Sequence, residues 1–383
     1  MNFGFSEDQE ALRELAVQII GDHASHERLK QIEAAPEWFD RELWGALARA
    51  SLLGVAVPEE FGGSGLGLIE LCLLLHVVGR HCVPIPVWPT LVLGALPIAQ
   101  FGTPAQRRQF LPPVVDGTMI LTAALVDTQS EDPLDPTVTA RRDGSGWRLD
   151  GVKMCVPAVH LAERILLPAR TRDGAVGVFL LDPNAVGVRS ERQETTQGEP
   201  QFLLHLSGAA VAADAVLGDP TQGRHIVQWL IDRALAGLCA IEVGVVERAL
   251  RMTAEYTSTR EQFGKPIAKF QAVAQRAADA FIDVEAMRWT TWQAIWRLAA
   301  GLPAEEEIAV AKFWVGEGGH RVVYAAQHLH GGIGIDLDYP LHRSYIWSKQ
   351  IELTLGSATQ HLVRLGAALA GTHRVAQMEA GHA

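Results

Sequence analysis

A chain of 383 residues, 48% hydrophobic and 20% charged, has ample apolar material for a sizeable core, which excludes a disordered or fibrous protein. Its 33 Lys and Arg against 44 Asp and Glu leave a net charge of -11, so no nucleic-acid or anionic-lipid partner is expected. No apolar run approaches the ~20 residues that span a bilayer, and the opening MNFGFSEDQE lacks the basic and apolar regions of a secretory signal, so a cytoplasmic protein without a membrane role is expected.

Ser6 followed by Glu7, Asp8 and Gln9 has capping-box spacing with acidic residues at the positive end of a helix dipole, and Leu12, Leu15, Ala16, Ile19 and Ile20 continue with helical period. Asp40 caps a second helix (Leu43, Ala46, Leu47, Ala50) that stops at Gly54, and Leu68 to Val78 forms a third after the glycine-rich Phe61 to Gly67. Thr103-Pro104 supplies an N-cap with proline at the first helical position, so residues 1–118 read as a helical domain. From Met119 the pattern becomes short strands: Ile120 to Val126, Thr137 to Arg141, Trp147 to Leu149, Ile165 to Pro168, Val176 to Leu181 and Phe202 to Leu206, with Asp-Gly and Gly-rich turns between them. Residues 119–225 therefore read as a middle β domain, a small barrel or sandwich.

Helical periodicity returns near Ile226. Four long segments, Ile226 to about Thr257, Ile267 to about Ala300, Ala304 to about His328 and Gln350 to about Ala370, make residues 226–383 a four-helix bundle. The fold class is α+β, mostly α. Cys72, Cys82, Cys155 and Cys239 have neither zinc-finger spacing nor disulfide-scaffold density and sit among apolar neighbours, so they read as reduced core residues. His328 and His330, two apart on a helix, point about 200° from each other and cannot share a metal. Gly63-Ser64-Gly65-Leu66-Gly67 follows no strand and reads as a surface loop rather than a dinucleotide fingerprint.

Two segments carry chemistry. Thr259 to Ile267, in a short connection between long helices, joins Arg260, the amide of Gln262, the ring of Phe263 and Gly264 beside a new helix N-terminus; those groups suit a phosphate and a flat heterocycle. His328-Leu329-His330-Gly331-Gly332-Ile333-Gly334 runs a helix into glycines that let backbone amides approach a ligand. Taken singly, either is also a common helix corner with its own caps.

Together, in the order helical domain, β domain, helix bundle, they resemble the acyl-CoA dehydrogenase family over essentially the whole chain, with Phe270-Gln271 and Tyr339-Pro340 completing the C-terminal signature. The resemblance implies a bound FAD, an acyl-CoA substrate, and removal of an α-proton and a β-hydride. It also implies that Arg260 and Phe263 reach a neighbouring subunit's FAD pyrophosphate and adenine, with Gln262, Gln271, His328, Gly331 and Gly332 as further nucleotide contacts.

The match fails where proton transfer is performed. An α-proton of a thioester is weakly acidic and needs a carboxylate base. Leu355, in Thr354-Leu355-Gly356-Ser357, stands where the family's glutamate should be, and Ala234 stands at the alternative base position on the first bundle helix. No catalytic residue is carried over. The flavin-facing segment reads Val126-Asp127-Thr128-Gln129-Ser130-Glu131-Asp132, and the aromatic and threonine that flank the ring system are replaced by Cys155 and Pro157, although Leu149 to Lys153 matches.

Groups that serve a neighbour's site are thus kept while those that serve the chain's own site are lost. This is similar to the base-less chain of the α2β2 acyl-CoA dehydrogenase heterotetramers of actinobacterial steroid side-chain catabolism, and implies a second acyl-CoA dehydrogenase-like chain bearing the catalytic Glu or Asp. Two alternatives stay open: Glu242 as a relocated base with a raised pKa, against a glutamate on the solvated or subunit-facing side of its helix; and a non-enzymatic acyl-CoA or protein-binding module that has lost its flavin.

Overall fold

The computed structural model describes residues 4–130, 132–172 and 174–380, with side chains up to residue 370. It divides into two compact units, one of Met1–Leu74 and Val83–Ala234, the other of Leu75–Cys82 and Leu235–Ala383.

In the first unit, α1 (Glu7–His23) starts from the expected capping box: Ser6 Oγ accepts from the Gln9 backbone N–H while Gln9 Oε1 accepts from Ser6 N–H. After α2 (His26–Ala34), the Asp40 carboxylate caps α3 (Arg41–Arg49) at Leu43 N–H and accepts a two-point bond from Arg28. The helix expected to follow Asp40 and stop at Gly54 is this third one and ends earlier, at Arg49, while α2 before it was not foreseen. Helix α4 (Leu68–His81), an eight-residue π-helix at Trp88–Ala95, α5 (Leu96–Phe101) and α6 (Pro104–Val115) follow, the last with Thr103 and Gln106 in a second capping box.

The middle segment is one mixed sheet of β1 (Leu121–Ala123), β2 (Val126–Asp127), β3 (Thr139–Asp143), β4 (Gly146–Pro157), β5 (Arg164–Thr171), β6 (Val176–Leu181), β7 (Val188–Gln193), β8 (Gln201–Val211) and β9 (Val216–Leu217). Its order is β7-β8-β4-β3-β5-β6-β9, with β2 antiparallel beside β4 and β1 parallel beside β5. Strands β6 and β8 are far apart in that order, yet Phe179 and Leu181 share a core with Phe202, Leu204 and Leu206. The sheet must fold over itself to bring them together, which gives the barrel-like body the strand spacing predicts. Asp127 and Lys153 make a fully buried ion pair across β2 and β4, and Asp127 Oδ1 also accepts from the Thr137 hydroxyl and Val138 N–H, so the buried carboxylate is satisfied on every side.

Helix α7 (Gly223–Thr259) passes from the first unit into the second, where α8 (Gln271–Ala299), α9 (Glu305–His330), α10 (Leu341–Leu353) and α11 (Ala358–Ala380) follow. Helix α9 is central, packing against α8, α10 and α11. The end of α4 crosses α7 at Gly79, where an added Cβ would stand 1.9 Å from the Ile241 carbonyl oxygen, so glycine permits the close approach.

The helix expected over Gln350 to Ala370 is two helices. Leu355 (φ 57°) and Gly356 (φ 108°) leave the right-handed region and end α10 before α11 begins. The uniform apolar periodicity on both sides conceals this break. Three cysteines are buried, but Cys155 is exposed, so the expectation of a core thiol fails there.

Candidate functional site

In the second unit, the ends of α7 and α9 are joined by an aromatic stack. Tyr256 stacks on His330 with ring centroids 4.4 Å apart at 19°, and Tyr339 is tilted at 49° to the same imidazole with centroids 5.3 Å apart. His330 Nδ1–H donates to the Ala326 carbonyl at 2.8 Å, which leaves Nε2 to accept from the Tyr339 hydroxyl at 3.2 Å. Burial lowers the His330 pKa, so the neutral tautomer this relay requires is favoured. The stack fixes the start of the Gly331–Ile335 3-10 turn beside the last turns of α7.

Four residues beyond Tyr256 the connection becomes a hairpin, β10 (Glu261–Gln262) against β11 (Lys265–Pro266). Its two turn residues, Phe263 (φ 55°) and Gly264 (φ 76°), both adopt positive φ, the geometry of a tight two-residue hairpin turn. Phenylalanine is a poor residue for that conformation, and its ring is 90% exposed with only an edge contact to Phe270 at 6.1 Å. Arg260 is exposed, and its guanidinium makes no ion pair or hydrogen bond among the described residues. Gln262, Gln271 at the start of α8, His328, Gly331 and Gly332 are exposed as well, and nothing lies within 4 Å of a Cβ placed on either glycine. Cation, amides, imidazole and an aromatic ring thus lie exposed on this unit, and their chemistry suits a pyrophosphate and a flat heterocycle.

The turn at residues 354–357 is held from beneath. Lys312, completely buried on α9, donates to the carbonyls of Ile351, Glu352 and Gly356 at 2.9, 3.0 and 3.1 Å. His361 Nε2–H donates to the Leu355 carbonyl at 3.1 Å, and Gln360 Oε1 accepts from Ser357 N–H at 2.7 Å. Burial pushes Lys312 down to about 8 and His361 down to about 4, the latter assisted by the Lys312 and Arg364 charges, so His361 is neutral at physiological pH. Neither residue was among the candidates read from the sequence. A lone lysine inside the apolar run Ile308 to Val315 was the available signal for the first.

At the other expected base position, Ala234 is buried and its carbonyl accepts from Trp88 Nε1 at 3.0 Å. A methyl side chain offers no proton acceptor. In the β domain, Cys155 occupies a bulge of β4 at φ 53°, with its N–H donating to Gln193 Oε1, while the Pro157 carbonyl accepts from Thr122. Asp127 is committed to Lys153, and Ser130 and Asp132 bond within their own turn. Glu131 of that segment lies outside the described residues. These flanks present a thiol and a proline ring and do not fit an isoalloxazine as a stacking ring and a hydroxyl would. Glu242 is fully enclosed, which rules out the solvated position weighed for it.

Profiles for the acyl-CoA dehydrogenase N-terminal domain and C-terminal domain match residues 6–118 and 221–370. The chain belongs to the acyl-CoA dehydrogenase family. Acyl-CoA dehydrogenase FadE27 of Mycobacterium tuberculosis is 38% identical over 380 residues, covering 97% of this chain and 100% of that protein. Among solved structures, a variant of the steroid ACAD Tcur3481-Tcur3483 is 45% identical with a TM-score of 0.90, covering 96% of this chain and 99% of that one. The ChsE4-ChsE5 complex of Mycobacterium tuberculosis is 38% identical with a TM-score of 0.91, covering 97% and 99%. This acyl-CoA dehydrogenase homologue has, among its described residues, no helix long and apolar enough to cross a membrane.

Proposed function

We propose that the chain is the base-less subunit of a heteromeric acyl-CoA dehydrogenase whose partner, a second chain of the same family, supplies the catalytic carboxylate. The cofactor is FAD, which when bound takes the hydride released from the β-carbon of the thioester. Arg260 holds the pyrophosphate by charge-assisted hydrogen bonds, Phe263 covers the adenine, and Gln262, Gln271, His328, Gly331 and Gly332 complete the contact across the interface. The similarity to a steroid ACAD supports the thioester of a steroid side chain as substrate.

The observation that carries this reading is a contrast within one chain: a cationic and aromatic set turned outward at one place, and at another a turn, held by Lys312 and His361, that presents leucine where a base is needed. A self-sufficient enzyme using Glu242 is disfavoured, because a fully buried carboxylate cannot meet a thioester without unpacking three helices. A flavin-free binding module is disfavoured by the cost of retaining an exposed phenylalanine in a left-handed conformation.

Each hydrogen bond to a charged group contributes ~1.5–3 kcal/mol. Arg260→Ala in the assembled complex should therefore weaken FAD retention by roughly ten- to a hundred-fold with the fold kept, and Arg260→Lys should restore only part, since an ammonium lacks the planar fork. Absorbance of the purified complex after dialysis reads this directly; unchanged flavin content in Arg260→Ala would reduce the hairpin to a bundle corner. Leu355→Glu is expected to give little or no dehydrogenase activity. The substitution supplies a carboxylate but leaves the Cys155 and Pro157 flanks unable to orient the hydride acceptor. A large gain in turnover from that change alone would show that the chain's own flavin site is intact.

A further inference from the structure

Glu242, on α7, is completely buried, and neither of its carboxyl oxygens makes a hydrogen bond of good geometry among the described residues; the Ser348 hydroxyl on α10 is near enough to favour the charged form, but not enough to offset burial. It sits against α9 and α10: a Cβ added to Gly319 would lie 2.5 Å from Glu242 Oε1 and 3.3 Å from Ser348 Oγ. Glycine at position 319 is what makes room for the carboxyl group. The buried cation of this region gives it no hydrogen bond, because an ammonium has three hydrogens and the Ile351, Glu352 and Gly356 carbonyls take all three from Lys312. Lys349 is paired with Glu352. A buried carboxylate without a partner is far costlier than the neutral acid.

We infer that Glu242 is an un-ionised carboxylic acid in the folded chain and that its proton acts as a latch only in the sense that the packing of α7 on α9 and on α10, the helix that leads into the Leu355 turn, tolerates the neutral acid and not the carboxylate. Burial is the main cause, raising the pKa from its ordinary 4.5 to about 8; Ser348, Lys312 and Lys349 oppose the rise and Glu352 adds to it. Cys239, one turn earlier on α7, is pushed up to about 12 and stays a neutral thiol.

The direction of the pH effect follows. Because the folded pKa lies above the unfolded one, the latch is at full strength below about 4.5, weakens as pH rises, and has lost its contribution once pH passes about 8. Lys312 works in another window: its pKa is lowered from 10.5 to about 8, so its burial becomes less costly as pH climbs through that higher range. In the first unit, Glu199 is also raised, to about 7.

Infrared spectra of the full chain, taken alone or in its complex, test the inference. At pH 7 the wild type should show the C=O stretch of a protonated carboxylic acid that titrates away with a midpoint near 8 and is absent from Glu242→Gln. In denaturant unfolding, the ratio of the wild-type to the Glu242→Gln equilibrium constant should change about tenfold per pH unit between pH 6 and 8, then level off. Parallel unfolding curves, or a band with its midpoint near 8 that survives in Glu242→Gln, overturn the latch; a band with its midpoint near 7 belongs to Glu199. Should Glu242→Gln not fold, Glu199→Gln decides: the band with its midpoint near 8 must persist there, and its loss assigns the proton to Glu199 instead.

Discussion

Expressed alone, the chain should fail to dehydrogenate acyl-CoA thioesters, and co-expression with a family partner carrying a carboxylate at either base position should restore turnover. A positioned base contributes ~10²–10⁴-fold to such a step, and here Leu355 and Ala234 offer none. The effect should therefore approach all or nothing in an assay that follows reduction of an artificial electron acceptor. Brisk turnover of an acyl-CoA by the isolated chain would falsify the division of labour. A yellow but inert lone chain is the informative intermediate result: nucleotide contacts would then form between copies of this chain, with proton transfer the only missing half.

Lys312→Met should be the most damaging single substitution for the second unit. Methionine fills similar space but leaves three carbonyls at the end of α10 without their donor, each costing about 1–3 kcal/mol when buried. Removing a charge that burial already disfavours offsets part of that loss. We expect a net destabilisation of about 3 kcal/mol, measured by denaturant unfolding, with amide exchange accelerating first at residues 354–357. Exchange there equal to wild type would mean that His361 and Gln360 suffice to hold the turn.

Much of the fold was legible because local chemistry and tertiary role agree. Ser6 and Thr103 cap the helices that their spacing announces, and the short apolar runs at Ile165 to Pro168 and Val176 to Leu181 are the continuously buried strands β5 and β6, while β4 and β8 alternate. The break after α10 was overlooked although Gly356 followed by Ser357 and, three residues on, Gln360 is a local stop-and-start signal; what the sequence could not show is that a lysine about forty residues earlier holds the turn. Glu242 illustrates a different limit. Its apolar neighbours foretold a perturbed pKa, but its burial depends on Gly319 leaving a gap on another helix. Arg260 and Phe263 became candidates through a motif rather than through periodicity, since exposed residues leave no trace in a hydrophobic pattern.

The Leu355 turn also bears on what selection can see. Lys312 and His361 grip carbonyl oxygens, and Gln360 grips an amide, so the attachments are made entirely to main chain. The side chain at 355 takes no share in them, and leucine and glutamate meet comparable strain at a φ of 57°. The bonds that hold the turn therefore do not discriminate between leucine and glutamate, and any difference in folding comes from the half-buried side chain alone. Under the proposed division of labour, the turn keeps its main-chain geometry whether or not position 355 carries a proton acceptor, so the scaffold of the site is separable from its chemistry.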